Sequence, residues 1–288
     1  MATLLIICIY IAFIGLGIPD SLFGPAWPAM HLDLGVSISI GSILTPFITF
    51  GTMLSSLFST RVINKYGTRN VIVISTILTV VGLLGYSLSG NIILIFISSI
   101  PLGLGAGAID SGLNNYVAIH YKTMHMNFLH CFYGIGVSLS PYIMAFALAD
   151  NENWRKGYFI AFIVQLAIAI VMLLSIPLWN KNKKTNEVEE EKPVTLGFIQ
   201  MVKIPYILIV SLVFLFYCVV EVGFGQWSAS FMVGARGLST ETAAKLAGLF
   251  YVGLAVGRFI AGLISNYVSK TKMIFFGEIL MIVALLVV

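Results

Sequence analysis

The chain has 288 residues, 59% of them hydrophobic and 10% charged, and its mean hydropathy is +0.99. Soluble domains carry roughly a quarter charged residues, so a water-soluble globule is excluded and a polytopic helical membrane protein is expected. The net charge of +4 comes from Lys and Arg scattered through short loops, with no single basic face, which excludes nucleic acid as a partner.

Apolar runs separated by Gly, Pro, Asn or charge clusters predict nine spans, at 3–29, 36–60, 69–89, 92–117, 127–149, 157–179, 205–231, 243–265 and 272–288. The first run lacks a basic leader and a small-residue cleavage site, so it reads as a span. The last stops at LLVV without a polar tail, so the chain is expected to end inside a helix. With the N-terminus on the cytoplasmic side, the inner loops hold Arg61, Lys65, Arg69, Lys122, Lys181, Lys183, Lys184, Lys192, Lys203, Lys270 and Lys272. The outer loops hold Arg155, Lys156, Arg236 and Lys245. Cations concentrate on the cytoplasmic side, which supports that orientation, while Arg258, inside span eight, is expected to snorkel to the inner surface. One long polar stretch divides the chain into a six-helix bundle (1–180), a cytoplasmic linker (181–204) and spans seven to nine (205–288). Cys8, Cys131 and Cys218 lie far apart in apolar runs and read as core residues.

Ionisable side chains within a bilayer are costly and face a bundle interior, which makes each a functional candidate. Asp20 in span one shares a face with Gly24 and Trp27, in a stretch that Pro19, Pro25 and Pro28 make irregular. An acid beside a flat ring suits a sugar, with hydroxyls on the carboxylate and C–H faces on the aromatic; a helix cap for Asp20 and an interfacial belt position for Trp27 are the plainer alternatives. In span two, Thr45, Thr49 and Thr52 around Pro46 read as backbone-bonding kink residues. Span four, GLGAGAIDSGLNNY, aligns Gly103, Gly107, Asp110 and Asn114, offering either a ligand-binding acid and amide or a polar clamp between helices. Span five places Asn127, His130 and Gly134 on one face with Tyr133 beside them, and a histidine can relay protons or simply pack. Span seven aligns Tyr217, Glu221, Gly225 and Ser228, with Gln226 and Trp227 nearby. Glu278 lies in span nine.

The loop after span two, TRVINKYGTR (Thr60–Arg69), resembles the inter-helix signature G-x-x-x-D-R-x-G-R-R of the major facilitator superfamily. Gly67 and Arg69 match, Lys65 stands at an Arg position, and Asn64 replaces the Asp, which removes one charge from that conformational contact. A degenerate counterpart, GLISNYVSKTK, follows span eight, six helices later. Span four is similar to the GLGxGxxE-T-A-A-N-P stretch of the fucose permease and sugar:proton symporter branch, with Asp110 and Asn114 at its acid and Asn. Asp20 falls on that branch's span-one Asp, and Tyr217, Glu221, Gly225 and Trp227 resemble its YxGxExxxGxW pattern. In span five, His130 and Tyr133 depart from fucose permease, so fucose itself is not implied.

The resemblance implies an all-α major facilitator fold: a six-helix N-terminal bundle plus an incomplete C-terminal bundle, about nine transmembrane helices in all. A twelve-helix layout leaves three helices beyond Val288, so poor transport by this chain alone is expected. It further implies secondary transport of a small polar solute, a sugar or sugar-like metabolite, at the plasma membrane and in contact with membrane lipid. The binding set is Asp20, Trp27, Asp110, Asn114, His130, Tyr133, Tyr217, Gln226 and Trp227. Asp20, Asp110 and Glu221 are expected to couple H+, or alternatively Na+, to the solute. The rivals are a proton-coupled efflux antiporter, a non-transporting receptor, and a bilayer-surface enzyme. The last lacks support, because His31, His120, His125 and His130 form no H-x₃-H, HE or HxD arrangement, and no Walker A loop occurs. No metal or organic cofactor is expected.

Overall fold

A computed structural model describes residues 2–121, 123–151, 153–183, 200, 202–264 and 267–287. The described residues form helices and no strand: α1 (Ala2–Asp20), α2 (Phe23–Asp33), a 3-10 turn (Ile38–Ile40), α3 (Gly41–Tyr66), α4 (Thr68–Ser87), α5 (Ile92–His120), α6 (Thr123–Leu148), α7 (Trp154–Leu174), α8 (Ile176–Lys183), α9 (Pro205–Arg236), α10 (Thr240–Ile264) and α11 (Lys270–Val287). Eight stretches among them are long and apolar enough to cross a membrane. The helix at the ninth expected span, α11, carries Lys270, Lys272 and Glu278 and stands outside those eight. Most of the expected linker, and Lys122, Lys184 and Lys192, lie outside the described residues.

The first span differs from the single run expected at 3–29. It continues to Asp33 and breaks at Ser21 and Leu22, just after Pro19, which cannot donate to the helix ladder. Serines mend the break. Ser140 Oγ on α6 donates to the carbonyl of Ile18 at 2.8 Å, and Ser21 Oγ donates to the carbonyl of Val137 at 2.7 Å. Gly17 and Gly136 let the two backbones approach closely enough for these bonds, since a methyl group on either would strike the opposing main chain. The sixth span also bends: α7 ends at Leu174 and Pro177 restarts the chain as α8, which tucks Trp179 against Tyr116.

α5 packs on both α3 and α4, α4 packs on α7, and α1 on α6. One buried cluster centres on Trp27, Tyr86, Leu102, Trp154 and Tyr158, and a second on Phe13, Ile72, Leu113 and Met172. Helices α9 and α10 join this framework through α2 and α6. Gly134 of α6 faces Ala255 of α10, and Gly248 of α10 faces Pro141 and Tyr142 of α6, while α9 packs on α2. At the α2 end of the bundle, Arg155 pairs with Asp33 at 2.6 Å and donates to the Ser89 carbonyl.

Candidate functional site

A cavity of about 260 Å³ is lined by residues of α1 to α7 on one side and of α9 and α10 on the other. The break after Pro19 leaves Asp20 at the end of α1 with its carboxylate open to this space. Tyr133 of α6 donates its hydroxyl to Asp20 Oδ2 at 3.0 Å. Glu221 of α9 lines the opposite wall, one helical turn before Gly225 and Gln226.

Arg258 departs from the expectation that it snorkels. Its side chain turns inward, because carboxylate, phenol and aromatic face all stand within its reach. The guanidinium donates to Glu221 Oε1 at 3.3 Å and to Tyr217 Oη at 3.4 Å, and it stands 5.9 Å from the centroid of the Tyr133 ring. The Arg258 and Glu221 side chains are 30% and 20% exposed, so the pair is shielded from solvent but not sealed. A continuous polar string therefore runs from Asp20 through Tyr133 and Arg258 to Glu221, joining α1, α6, α10 and α9.

The rest of the wall mixes hydroxyls with apolar surface. Thr45, Thr49, Thr52, Tyr86, Tyr158, Gln226 and Tyr251 line it together with Phe23, Ile48, Leu102 and Val137. Thr49 and Thr52 bond the carbonyls one turn back, as expected of kink residues, yet also face the cavity. Thr45 Oγ1, Tyr158 Oη and Gln226 Nε2 are buried at this wall and have no protein partner. An unpaired buried polar group costs about 1–3 kcal/mol, so the wall favours a ligand that can hydrogen-bond.

Other sequence candidates lie apart from the cavity lining. Asp110 sits one turn beyond Ala106 on the same stripe of α5 and accepts from Asn114 Nδ2 at 2.9 Å. It is within electrostatic range of both Asp20 and His130, and His130 also feels Arg258. Trp27 corrects the sugar-stacking expectation: the indole is fully buried, donates to the Ile38 carbonyl at 2.9 Å and packs between Phe23 and His31, with Gly41 against its edge. Trp227 packs against the first core cluster, and Tyr217 accepts a hydrogen bond from Arg258. The motif residues Asn64 and Lys65 close α3, Gly67 makes the turn and Arg69 opens α4, and none of the four lines the cavity; Gly67 adopts φ +81° and ψ 145°, and Arg69 Nε donates to Asn70.

The sequence profile of the Major Facilitator Superfamily matches residues 7–288. The chain belongs to this family. It is thus an integral membrane protein of the major facilitator fold, with eight stretches among the described residues long and apolar enough to cross a membrane. It is 22% identical to "Bypass of stop codon protein 6" of Saccharomyces cerevisiae over 92% of this chain and 58% of that protein. It is 21% identical to the "Glucose/mannose transporter GlcP" of Bacillus subtilis over 85% of this chain and 62% of the relative. A crystal structure of a D-xylose-proton symporter superposes with a TM-score of 0.72 at 16% identity, covering 92% of this chain and 69% of that one. The chain thus spans about six-tenths of these two relatives' length.

Proposed function

We propose that this major facilitator protein carries a small polar solute of the sugar class across the membrane in symport with H+. The observation that carries the reading is that Asp20, before the linker, and Glu221, after it, line one cavity and are joined through Tyr133 and Arg258. A proton arriving at Glu221 cancels its attraction for Arg258, and one arriving at Asp20 changes its bond with Tyr133. Proton loading is thereby tied to contacts that bridge the chain's first six spans and the later ones. Asp110 of α5, with Asn114 and His130, serves as the relay between cavity and inner surface. The same reading divides the chain into bundle 1–180, linker 181–204 and helices 205–288, and places the N-terminus in the cytoplasm of a plasma-membrane protein.

Solute size and chemistry agree with a sugar. Ligand cavities for drug-sized molecules span roughly 300–1,000 Å³, and this one is about 260 Å³ with three threonine and four tyrosine hydroxyl-bearing side chains, Thr45, Thr49, Thr52, Tyr86, Tyr133, Tyr158 and Tyr251, in its lining. That compactness favours a monosaccharide over the bulky apolar compounds of an efflux antiporter, although the chain is also 25% identical to the "Quinolone resistance protein NorA" of Staphylococcus aureus over 62% of its length and 44% of that protein. The test is uptake of labelled D-glucose, D-mannose and D-xylose by proteoliposomes under an imposed pH gradient. Accumulation that collapses when the gradient is dissipated is expected. Binding without flux would instead mark a receptor, and undiminished accumulation by Asp20→Asn would remove H+ coupling from Asp20.

A further inference from the structure

α3 and α4 each pack along α5 and scarcely on one another. Small residues set this geometry. Gly103 and Gly107 admit the α3 backbone on one side of α5, and Gly105 admits the α4 backbone at Ser75 on the other. The two helices straddle α5 like the arms of a V. Between them lies a crevice of about 540 Å³, floored by Leu104 and Ala108 and walled by Phe58, Val62, Tyr66 and Ile74. Serines at its edge offer little to a polar ligand: Ser55 Oγ donates to the Leu104 carbonyl at 2.6 Å, and Ser59 Oγ to the Ser56 carbonyl at 2.7 Å. Along this length the occupant must be apolar.

The end of the crevice nearest the α3–α4 turn differs in charge. Arg61 stands 5.9 Å from the centroid of the Phe58 ring and Lys65 5.2 Å from that of Tyr66, so both cations rest on rings that line the crevice. No Asp or Glu occurs anywhere between Gly41 and Ser87 to neutralise them. Apolar depth within the bilayer combined with cations at its rim matches one chemistry, an acyl chain joined to an anionic headgroup. We propose that this crevice is a binding site for an anionic glycerophospholipid, with one acyl chain over Leu104 and Ala108 and the phosphate held by Arg61 and Lys65. The site is independent of the transported solute.

The test measures lipid carried by the purified full chain after equilibration in bilayer nanodiscs of equal parts dioleoylphosphatidylglycerol and dioleoylphosphatidylcholine. The readout is native mass spectrometry of the released protein. Preferential retention of phosphatidylglycerol is expected. Arg61→Gln and Lys65→Gln should each weaken that preference about fivefold, the contribution of one cation at an anionic surface, while leaving phosphatidylcholine retention unchanged. Both residues are exposed, each with its cation over a ring, so these variants keep the fold. Ala108→Phe, which fills the floor, should reduce retention of both lipids. Equal retention of the two lipids by the unmodified protein, or an undiminished preference in both Gln variants, would overturn the proposal. So would equally good competition by glycerol 3-phosphate, which would indicate a site for free phosphate.

Discussion

Arg258 reaches from α10 to stand 5.9 Å from the ring centroid of Tyr133 on α6. The same Tyr133 donates its hydroxyl to Asp20 at 3.0 Å, and the same guanidinium donates to Glu221 at 3.3 Å. One phenol therefore links a cation on one helix to an acid on another.

Tyr133→Phe keeps the ring beneath Arg258 and removes only the donor to Asp20. A hydrogen bond to a charged group is worth about 2 kcal/mol, so gradient-driven solute uptake should fall about thirtyfold. Tyr133→Leu should lose more, because the cation also loses its aromatic face. Uptake rates in proteoliposomes, normalised to reconstituted protein, check both.

Glu221→Gln leaves Arg258 with neutral partners in a partly shielded position. The pair is 20–30% exposed, so the loss is smaller than for a sealed ion pair, about 2 kcal/mol of stability. Arg258→Gln should cost a similar amount, whereas the double variant should cost less than the sum of the two. A double-mutant cycle read by thermal unfolding in detergent checks this.

Asp20→Asn should abolish accumulation against a concentration gradient while leaving exchange of labelled for unlabelled solute measurable. Asp110→Asn should slow accumulation with little effect on solute binding, since Asp110 bonds Asn114 and lies outside the cavity lining. Counterflow assays beside pH-gradient assays separate the two outcomes.

Gly24 of α2 abuts the carbonyl of Gly225 on α9, where a Cβ on Gly24 would also come within 3.1 Å of Gln226 Cα. Both glycines lie beyond Asp20 and Glu221 towards the Asp33 end of the bundle. Gly24→Val must push the helices apart there, so a cysteine introduced at Thr49 should label faster with a membrane-impermeant reagent applied from that side.

Gly67→Ala should lower stability by about 2 kcal/mol. The φ of +81° with ψ of 145° lies in a region open to glycine and strained for any other residue. Thermal unfolding checks this, and solute affinity should stay unchanged because Gly67 does not line the cavity.

Much of the architecture was legible from apolar run length, because a backbone in lipid must satisfy its own hydrogen bonds and so forms helices wherever the run suffices. Where runs contain proline, length alone misleads: the breaks after Pro19 and before Pro177 depend on serines and aromatics from other helices to stabilise them. Asp20, Tyr133, Glu221 and Gln226 stood out because polar groups in lipid are rare. Arg258 was misread because a long cation near a helix end can reach either water or a buried acid, and only the tertiary neighbours decide which. Its spacing of seven from Tyr251 places both on one stripe of α10, and that pattern was available in the sequence. Trp27 illustrates the converse: helical spacing aligned it with Asp20, but the break between α1 and α2 disrupts a phase calculated along one continuous helix.

The serine bonds across the α1–α2 break give α6 the character of an axle. Ser140 holds Ile18 and Val137 holds Ser21 on either side of Asp20, while Gly134 and Tyr142 of the same helix bear on α10. A tilt of α10, were it passed on through α6, would reach the discontinuity in the first span, where the helix is already interrupted beside Asp20.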